Sequence, residues 1–283
     1  MPGIFFSNRF KLIIFITTII ATGITLTIGY YNANEIVVKH QDINIPKQAG
    51  NPQKLNAVMV SDIHLGALID NNHLQKIVKK INALEPDIIL MPGDLVDSDL
   101  EPVLKKNSGE AFKALHPKLG IYATTGNHEY IGGVQEATEY LEQYNIRFLR
   151  DTTLFINESF YLIGREDREI NRFEDKERKS LNQLTALIDT TYPVILMDHQ
   201  PFHPEKTADA GIDLQLSGHT HNGQLWPINY ITSALFDISN GYGKINDMHI
   251  YVSSGAGTWG PPIRIGSQAE IVNLNIHFSQ ANK

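Results

Sequence analysis

One pattern constrains this chain more than any other: apolar runs that stop on residues able to hold metal ions. The central case is Met91-Pro92-Gly93-Asp94-Leu95-Val96-Asp97, which follows Asp87-Ile88-Ile89-Leu90. The short apolar run reads as a buried strand. Gly93 lets the backbone turn tightly, and Asp94 then stands at the strand's carboxyl end. A carboxylate there can bridge two cations, one facing each oxygen. Four further stretches end runs of the same kind: Asp62-Ile63-His64, Asn127-His128, His199 and His219-Thr220-His221. Asp62 and His64 lie two apart, as do His219 and His221, so each pair can point into one cleft. A lone histidine is usually a satisfied core residue. Five such stretches in series are not explained by packing.

Composition narrows the chemistry. The chain has 283 residues and no cysteine, which excludes disulfides and thiolate metal sites. Its size and 42% hydrophobic content suit one or two globular domains. A net charge of -7 argues against a general nucleic-acid binder, which needs a basic face. Imidazole and carboxylate ligands suit manganese, zinc or iron better than an oxygen-only magnesium cage.

Residues 12–31 form an uncharged, mostly apolar run, long enough to cross a bilayer as a helix. Arg9 and Lys11 precede it, which places the amino terminus in the cytoplasm and the rest outside. A cleaved signal peptide is the competing reading, but Tyr30, Tyr31 and Asn32 stand where small residues are needed. A buried core helix would show a polar face, and none is present. The expected organisation is an anchor over 1–33, a stalk or linker over 34–54 and a catalytic domain over 55–283. Within the linker, residues 35–45 are either a stalk or a first strand.

Beyond residue 54, strands and helices alternate. Strands are expected at 55–61, 87–90 and 120–125, with helices at 72–84, 101–115 and 134–144. This is α/β logic. Short strands follow at 147–149, 153–156 and 160–163, then at 193–197, 213–216, 248–253 and 270–278. The expected fold is a four-layer α-β-β-α sandwich: two packed mixed sheets flanked by helices, after one transmembrane helix. Residues 166–179 carry dense charge of both signs and read as a solvated helix or loop, with a mobile lid as the sharper option. Residues 225–236 read as an ordinary core helix, or else as an apolar wall that meets an acyl chain or the bilayer.

With these motifs in place, the chain resembles the calcineurin-like metallophosphoesterases. The matching blocks are Ser61-Asp62-Ile63-His64-Leu65-Gly66, Gly93-Asp94-Leu95-Val96-Asp97, Gly126-Asn127-His128-Glu129 and Gly218-His219-Thr220-His221. Thr258-Trp259-Gly260-Pro261-Pro262 resembles a block of the bacterial membrane-associated branch, which includes relatives of UDP-2,3-diacylglucosamine pyrophosphatases. Asn222 departs from that branch, where glycine is usual. Asn tolerates a left-handed backbone, so the turn is expected to survive.

The resemblance implies a ligand set and a reaction. Asp62, His64 and His221 would bind one divalent ion, and Asn127, His199 and His219 a second, with Asp94 between them. The pair would acidify a water for in-line attack on a phosphoester or pyrophosphate. His128 would supply the proton, or stabilise charge, at the leaving oxygen. Asp97 would orient a histidine or simply start a helix. Arg165 and Arg264 are candidates to grip phosphate, because arginine matches it bidentately. The implied substrate is phosphorylated; the anchor and the apolar stretch 225–236 lean towards a lipid-linked one, and Arg9 and Lys11 towards the outer face of the cytoplasmic membrane, although relatives acting on nucleotide-linked lipids point to the cytoplasm. The alternatives are a UDP-2,3-diacylglucosamine diphosphatase in lipid A biosynthesis, a protein or small-molecule phosphatase, and a catalytically silent metal-binding module.

Overall fold

Strands buried on both faces need apolar residues at every position, and this explains the unbroken runs seen in the sequence. The computed structural model describes residues 7–50 and 53–279. The ends of the expected anchor and catalytic domain, 1–6 and 280–283, and linker positions 51–52 lie outside the described residues.

The elements follow in chain order. Helix α1 (Asn8–Asn34) leads into β1 (Val37–Ile45), β2 (Lys54–Met59), α2 (Asn71–Ala83) and β3 (Ile88–Pro92). Next come α3 (Glu101–Lys106), β4 (Ile121–Thr124), α4 (Asn127–Gly132), α5 (Val134–Glu142) and β5 (Ile146–Phe148). The second half holds β6 (Thr152–Ile156), β7 (Phe160–Gly164), α6 (Ile170–Glu174), α7 (Leu181–Thr185), β8 (Val194–Met197), α8 (Pro204–Asp209) and β9 (Leu214–Ser217). The chain closes with α9 (Asn229–Leu235), β10 (Gly241–Ile245), β11 (Met248–Val252) and β12 (Glu270–Phe278).

Two six-stranded sheets result, ordered β1-β12-β2-β3-β4-β5 and β10-β11-β9-β8-β7-β6. Both are mixed. In the first, β2 to β5 run parallel and β12 pairs antiparallel with β2; in the second, β11, β9, β8 and β7 run parallel between antiparallel edges. Alternation along each strand divides its residues between two cores. Ala57, Met59, Ile88 and Leu90 meet Ile195, Met197, Leu214 and Leu216 between the sheets. Val58, Val60, Ile89 and Met91 face the other way, onto Leu74, Ile77, Val78 and Ile81 of α2. Val194 and Leu196 pack outward against Leu181 and Leu184 of α7. The expected four-layer α-β-β-α sandwich, preceded by one long apolar helix, is the observed one.

Four expectations are resolved or corrected by the structure. Within the stretch expected as a stalk or linker, residues 37–45 form β1, the first-strand reading of 35–45, paired in parallel with β12 along their whole length. The helix expected over 101–115 breaks in two, because Asn107 takes a left-handed backbone (φ 47°) and a 3-10 turn follows at Glu110–Ala114. Residues 225–236 do not form a core helix: α9 buries none of its residues, and Tyr230, Ile231 and Leu235 are exposed. In the charged stretch 166–179, Glu166 and Asp167 are buried, so it is not simply a solvated surface.

Candidate metal centre

The functional side chains sit where parallel strands end. Loops after β2 and β3 carry Asp62 and His64, and Asp94; the start of α4, just after β4, carries Asn127 and His128. Loops after β8 and β9 of the other sheet carry His199, and His219 and His221. In α/β sheets the carboxyl ends of the strands form the natural crevice. Packing the two sheets face to face brings both sets of loops together.

The local backbone is unusual. Asp62, His64, Asp94, His219 and His221 all have φ between 49° and 70°. Left-handed backbone is uncommon for residues with a Cβ. Each instance costs on the order of 1–3 kcal/mol and persists only where the surroundings enforce it. Gly93 also has positive φ (84°), and a Cβ on it would stand 2.6 Å from His199 Nδ1. No other residue fits there without displacing that imidazole. Asn222 is left-handed as well (φ 50°, ψ 39°), so the turn survives the departure from glycine.

Among the described residues three groups of potential ligand atoms form, each within a span of 4.8 Å: Asp62, His64 and His221; Asp94, His199 and His219; and, overlapping both, His64, Asp94 and His128. His64 Nε2 and His221 Nε2 lie 3.0 Å apart. Asn127 Oδ1 lies 2.8 Å from His219 Nδ1, which places it in the second group. Asp94 stands between the groups. Its Oδ1 accepts the His128 N–H at 2.8 Å, while Oδ2 lies 3.1 Å from His199 Nε2 and 3.9 Å from His64 Nε2.

These residues fit metal ions on their own chemistry. Asp62 Oδ2 and His199 Nε2 are buried and make no aligned hydrogen bond, and such atoms are costly to leave unmet. Burial pushes His64 down to about 4 and His219 down to about 3, and His221 falls well below its ordinary value. All three therefore offer a free lone pair at neutral pH, as metal ligation requires. Burial also works against charge on His199, but Asp94, Asp62 and Asp167 hold a proton on it. Burial would raise Asp94, yet His199 and His64 keep it well below the carboxylate range. Burial lifts Asp62 to about 6. A buried site that keeps a proton on one imidazole to balance its carboxylates is a site that calls for cations.

His128 is set differently. Its Nδ1 lies 2.8 Å from Asp97 Oδ1 and 3.1 Å from Ser98 Oγ, so Asp97 orients this histidine. Burial acts to lower its pKa, but the Asp97 hydrogen bond and the Asp94 charge outweigh it and raise it overall. Its ring lies edge-on to His64, with centroids 4.6 Å apart.

Glu129 belongs to the site, although the sequence reading assigned it no part. It is fully buried, and its carboxylate accepts the N–H groups of Asp94, Leu95, Val96 and Gly126 at 2.7–3.0 Å. It thereby ties the turn carrying Asp94 to the start of α4, which carries Asn127 and His128. Burial and the Asp94 charge push Glu129 up to about 7, against those backbone donors. The sequence does hold a signal: a glutamate three residues after the helix N-cap is the capping pattern. Glu129→Gln is expected to destabilise the fold, because an amide NH2 would face N–H donors. Each orphaned N–H costs about 1–3 kcal/mol. Denaturant unfolding measures this, and unchanged stability would remove Glu129 from the frame.

Neither arginine stands where phosphate gripping requires. Arg264 is fully buried, and its guanidinium is committed to the carbonyls of Ser254, Gly255 and Gly257. Its Nη2 also lies 3.2 Å from His221 Nδ1, so it props the loop and that imidazole from behind. Arg165 pairs with buried Asp198 at 3.1 Å beside Arg178, and lines a different cleft. Asp198, the buried carboxylate before His199 in sequence, holds the guanidinium groups of Arg165 and Arg178.

The cleft over these groups has a volume of about 510 Å³. Its lining includes polar Asp94, Asn127, His128, His219 and His221 and apolar Ile131, Leu225, Ile228, Trp259 and Pro261.

Comparison with known proteins agrees with this geometry. Residues 55–223 match the family model described as calcineurin-like phosphoesterase. A Danio rerio protein named "transmembrane protein with metallophosphoesterase domain" is 33% identical over 279 residues, covering 92% of this chain and 62% of the relative. An uncharacterized metallophosphoesterase of Campylobacter jejuni is 30% identical over 244 residues, covering 84% and 63%. The chain thus spans about three fifths of each of these relatives. A Staphylococcus aureus crystal structure carrying the name 5'-nucleotidase superposes with a TM-score of 0.50 at 13% identity, covering 78% of this chain and 54% of that one. At that identity the likeness concerns the fold alone.

Proposed function

The chain belongs to the calcineurin-like phosphoesterase family, and from that premise we propose that it is a membrane-anchored hydrolase of phosphoesters or pyrophosphates using two divalent ions. The observation that carries this reading is the pair of buried ligand groups with Asp94 Oδ2 between them. Asp62, His64 and His221 would hold one ion, Asn127, His199 and His219 the other, and Asp94 both. Manganese, zinc or iron suits these donors. When bound, such a pair supplies Lewis acidity toward phosphoryl oxygens and acidified water near neutral pH.

The remaining work falls to the chain's own residues. His128 offers a proton on the side of the leaving oxygen, with Nδ1 held by Asp97. Its raised pKa favours the protonated form that a general acid needs. Glu129 keeps the Asp94 turn and the Asn127–His128 segment in register.

The cleft supports an amphiphilic substrate. A cleft lined by both metal-binding residues and apolar side chains suits a phosphate head carrying an apolar body, such as a lipid-linked phosphate. Helix α1 supports anchoring: it is long and apolar enough to cross a bilayer, and it is exposed along nearly its whole length. The Danio rerio relative is itself named a transmembrane protein. In this reading 1–33 anchors the chain and 55–283 is catalytic, with β1 part of the catalytic fold. Arg9 and Lys11 favour an outward-facing domain.

The test is hydrolysis by the purified full chain. Chelation is expected to abolish turnover of an aryl phosphate ester, and manganese or zinc to restore it. A phosphate ester with a long alkyl chain is expected to show the lower KM. Turnover that survives complete metal removal would overturn the proposal. A reporter fused after Lys283 reads the side of the membrane, and a cytoplasmic signal would reverse the outward assignment.

A further inference from the structure

Trp259 of the cleft lining and the exposed Trp226 connect through hydrogen bonds to the loop that meets the end of α1. Helix α1 runs 27 residues, about 40 Å at 1.5 Å per residue. Only Gly29 and Ala33 are buried, and both lie near its carboxyl end. The Arg264 N–H donates to Gly29 O at 2.9 Å, and the Ala269 N–H donates to Asn32 O at 3.1 Å. A Cβ on Gly29 would stand 2.5 Å from Ile263 Cγ2, so glycine is what allows the close approach. Gly29 lies inside the uncharged run 12–31, two residues from its end. A loop that touches the helix there sits at the level where the apolar span stops.

That loop is hydrogen-bonded directly to the rim of the cleft. The Trp226 N–H donates to Ile265 O at 2.6 Å, and the Ile265 N–H to Gln224 O at 2.9 Å. Gln224 in turn holds the Trp259 backbone, donating to its O at 2.7 Å and accepting its N–H at 2.9 Å. The anchor's end, Trp226 and Trp259 therefore form one connected unit. Both tryptophans are 59% exposed. Helix α9 follows Trp226 and presents Tyr230, Ile231 and Leu235 outward with nothing packed over them. Residues 214–236 contain no Asp, Glu, Lys or Arg, and neither do 254–263. A face rimmed by Trp and Tyr, without charge, at the mouth of an apolar helix has the composition of a membrane–water interface. Patches of this kind on a soluble surface mark a partner, here lipid.

We propose that the face formed by Trp226, α9 and Trp259 lies in the headgroup layer of the leaflet from which α1 emerges. The cleft then opens onto the bilayer, and a lipid-borne phosphate reaches the metal-binding groups without crossing water. This rests on α1 as a membrane span and not on hydrolysis.

The chain's only two tryptophans are the two on this face, so intrinsic fluorescence reads it directly. The full chain is reconstituted in phosphatidylcholine vesicles whose acyl chains carry bromine either near the headgroup or deep in the tail. The expected result is blue-shifted emission, quenched most by the shallow bromines and little by aqueous iodide. Trp226→Phe and Trp259→Phe should each remove part of the quenched signal. Water-like emission, quenched by iodide and untouched by brominated lipid, would overturn the proposal. So would blue-shifted emission that depends on protein density and ignores bromine, since that marks a second copy on the face. A second arm uses Ile231→Glu, outside the cleft lining. It should weaken turnover of a bilayer-embedded phosphate ester roughly tenfold by expelling one interfacial anchor, and leave a soluble aryl ester unaffected. Equal loss on both substrates would count against the proposal. If no substrate is hydrolysed, the proposed activity fails while the fluorescence still decides the docking.

Discussion

Asp94→Asn is expected to strip most of the bound metal and nearly all of the turnover. The substitution preserves size, and an amide oxygen can still accept the His128 N–H that Asp94 Oδ1 now receives at 2.8 Å. What it removes is the anionic Oδ2, which faces His199 at 3.1 Å and His64 at 3.9 Å. It places an NH2 there, a donor that no cation tolerates. Both metal-binding groups lose their shared charge at once. The loss of affinity should exceed the roughly 10–100-fold that removing an outer hydrogen-bond partner of a ligand costs. Elemental analysis of the purified variant gives the metal content, and circular dichroism checks the fold. A variant with full metal and full activity would sink the two-ion reading of the site.

His128→Ala should separate binding from chemistry. His128 lies outside the seven proposed ligands, so the variant is expected to keep its metal. Its turnover should fall by roughly 10²–10⁴, the range for loss of a general acid. The loss should shrink for esters with acidic leaving groups, which depart without a proton. Asp97→Asn should produce a milder version of the same pattern, because Asp97 acts through the Nδ1 contact of 2.8 Å. Equal losses across a leaving-group series would rule out proton donation. Loss of metal together with activity would instead make His128 a ligand, as its proximity to His64 and Asp94 allows.

Much of the candidate site was legible because its residues stand at strand ends, and strands are visible as apolar runs. Asp62, His64, Asp94, Asn127, His199, His219 and His221 needed no coordinates to be named. Asp97 was legible in kind, as a carboxylate orienting a histidine, although which histidine was not. Arg165 and Arg264 were misjudged, because a sequence shows that an arginine lies in a loop and not which way it turns. One is drawn to Asp198, and the other is buried under three carbonyls. Glu129 went without a role for a related reason. Its four N–H donors come from two segments, 94–96 and 126, that only the fold brings together.

By itself the sequence determined the layers. Alternation within fully apolar strands, amphipathic α2 and a strand–helix rhythm specify which residues are buried, because burial of apolar surface is non-directional and local periodicity reports it. It also offered the candidate donors, since residue type decides which atoms can ligate metals. Only the tertiary structure decided the facing of groups far apart in the chain. It closed His64 onto His221 at 3.0 Å, held five left-handed residues in place, drew β1 into the sheet and left α9 with no buried residue. Those outcomes depend on direction and distance between strands that pair out of chain order. Hydrogen bonds and packed side chains impose such geometry only once the sheets have formed.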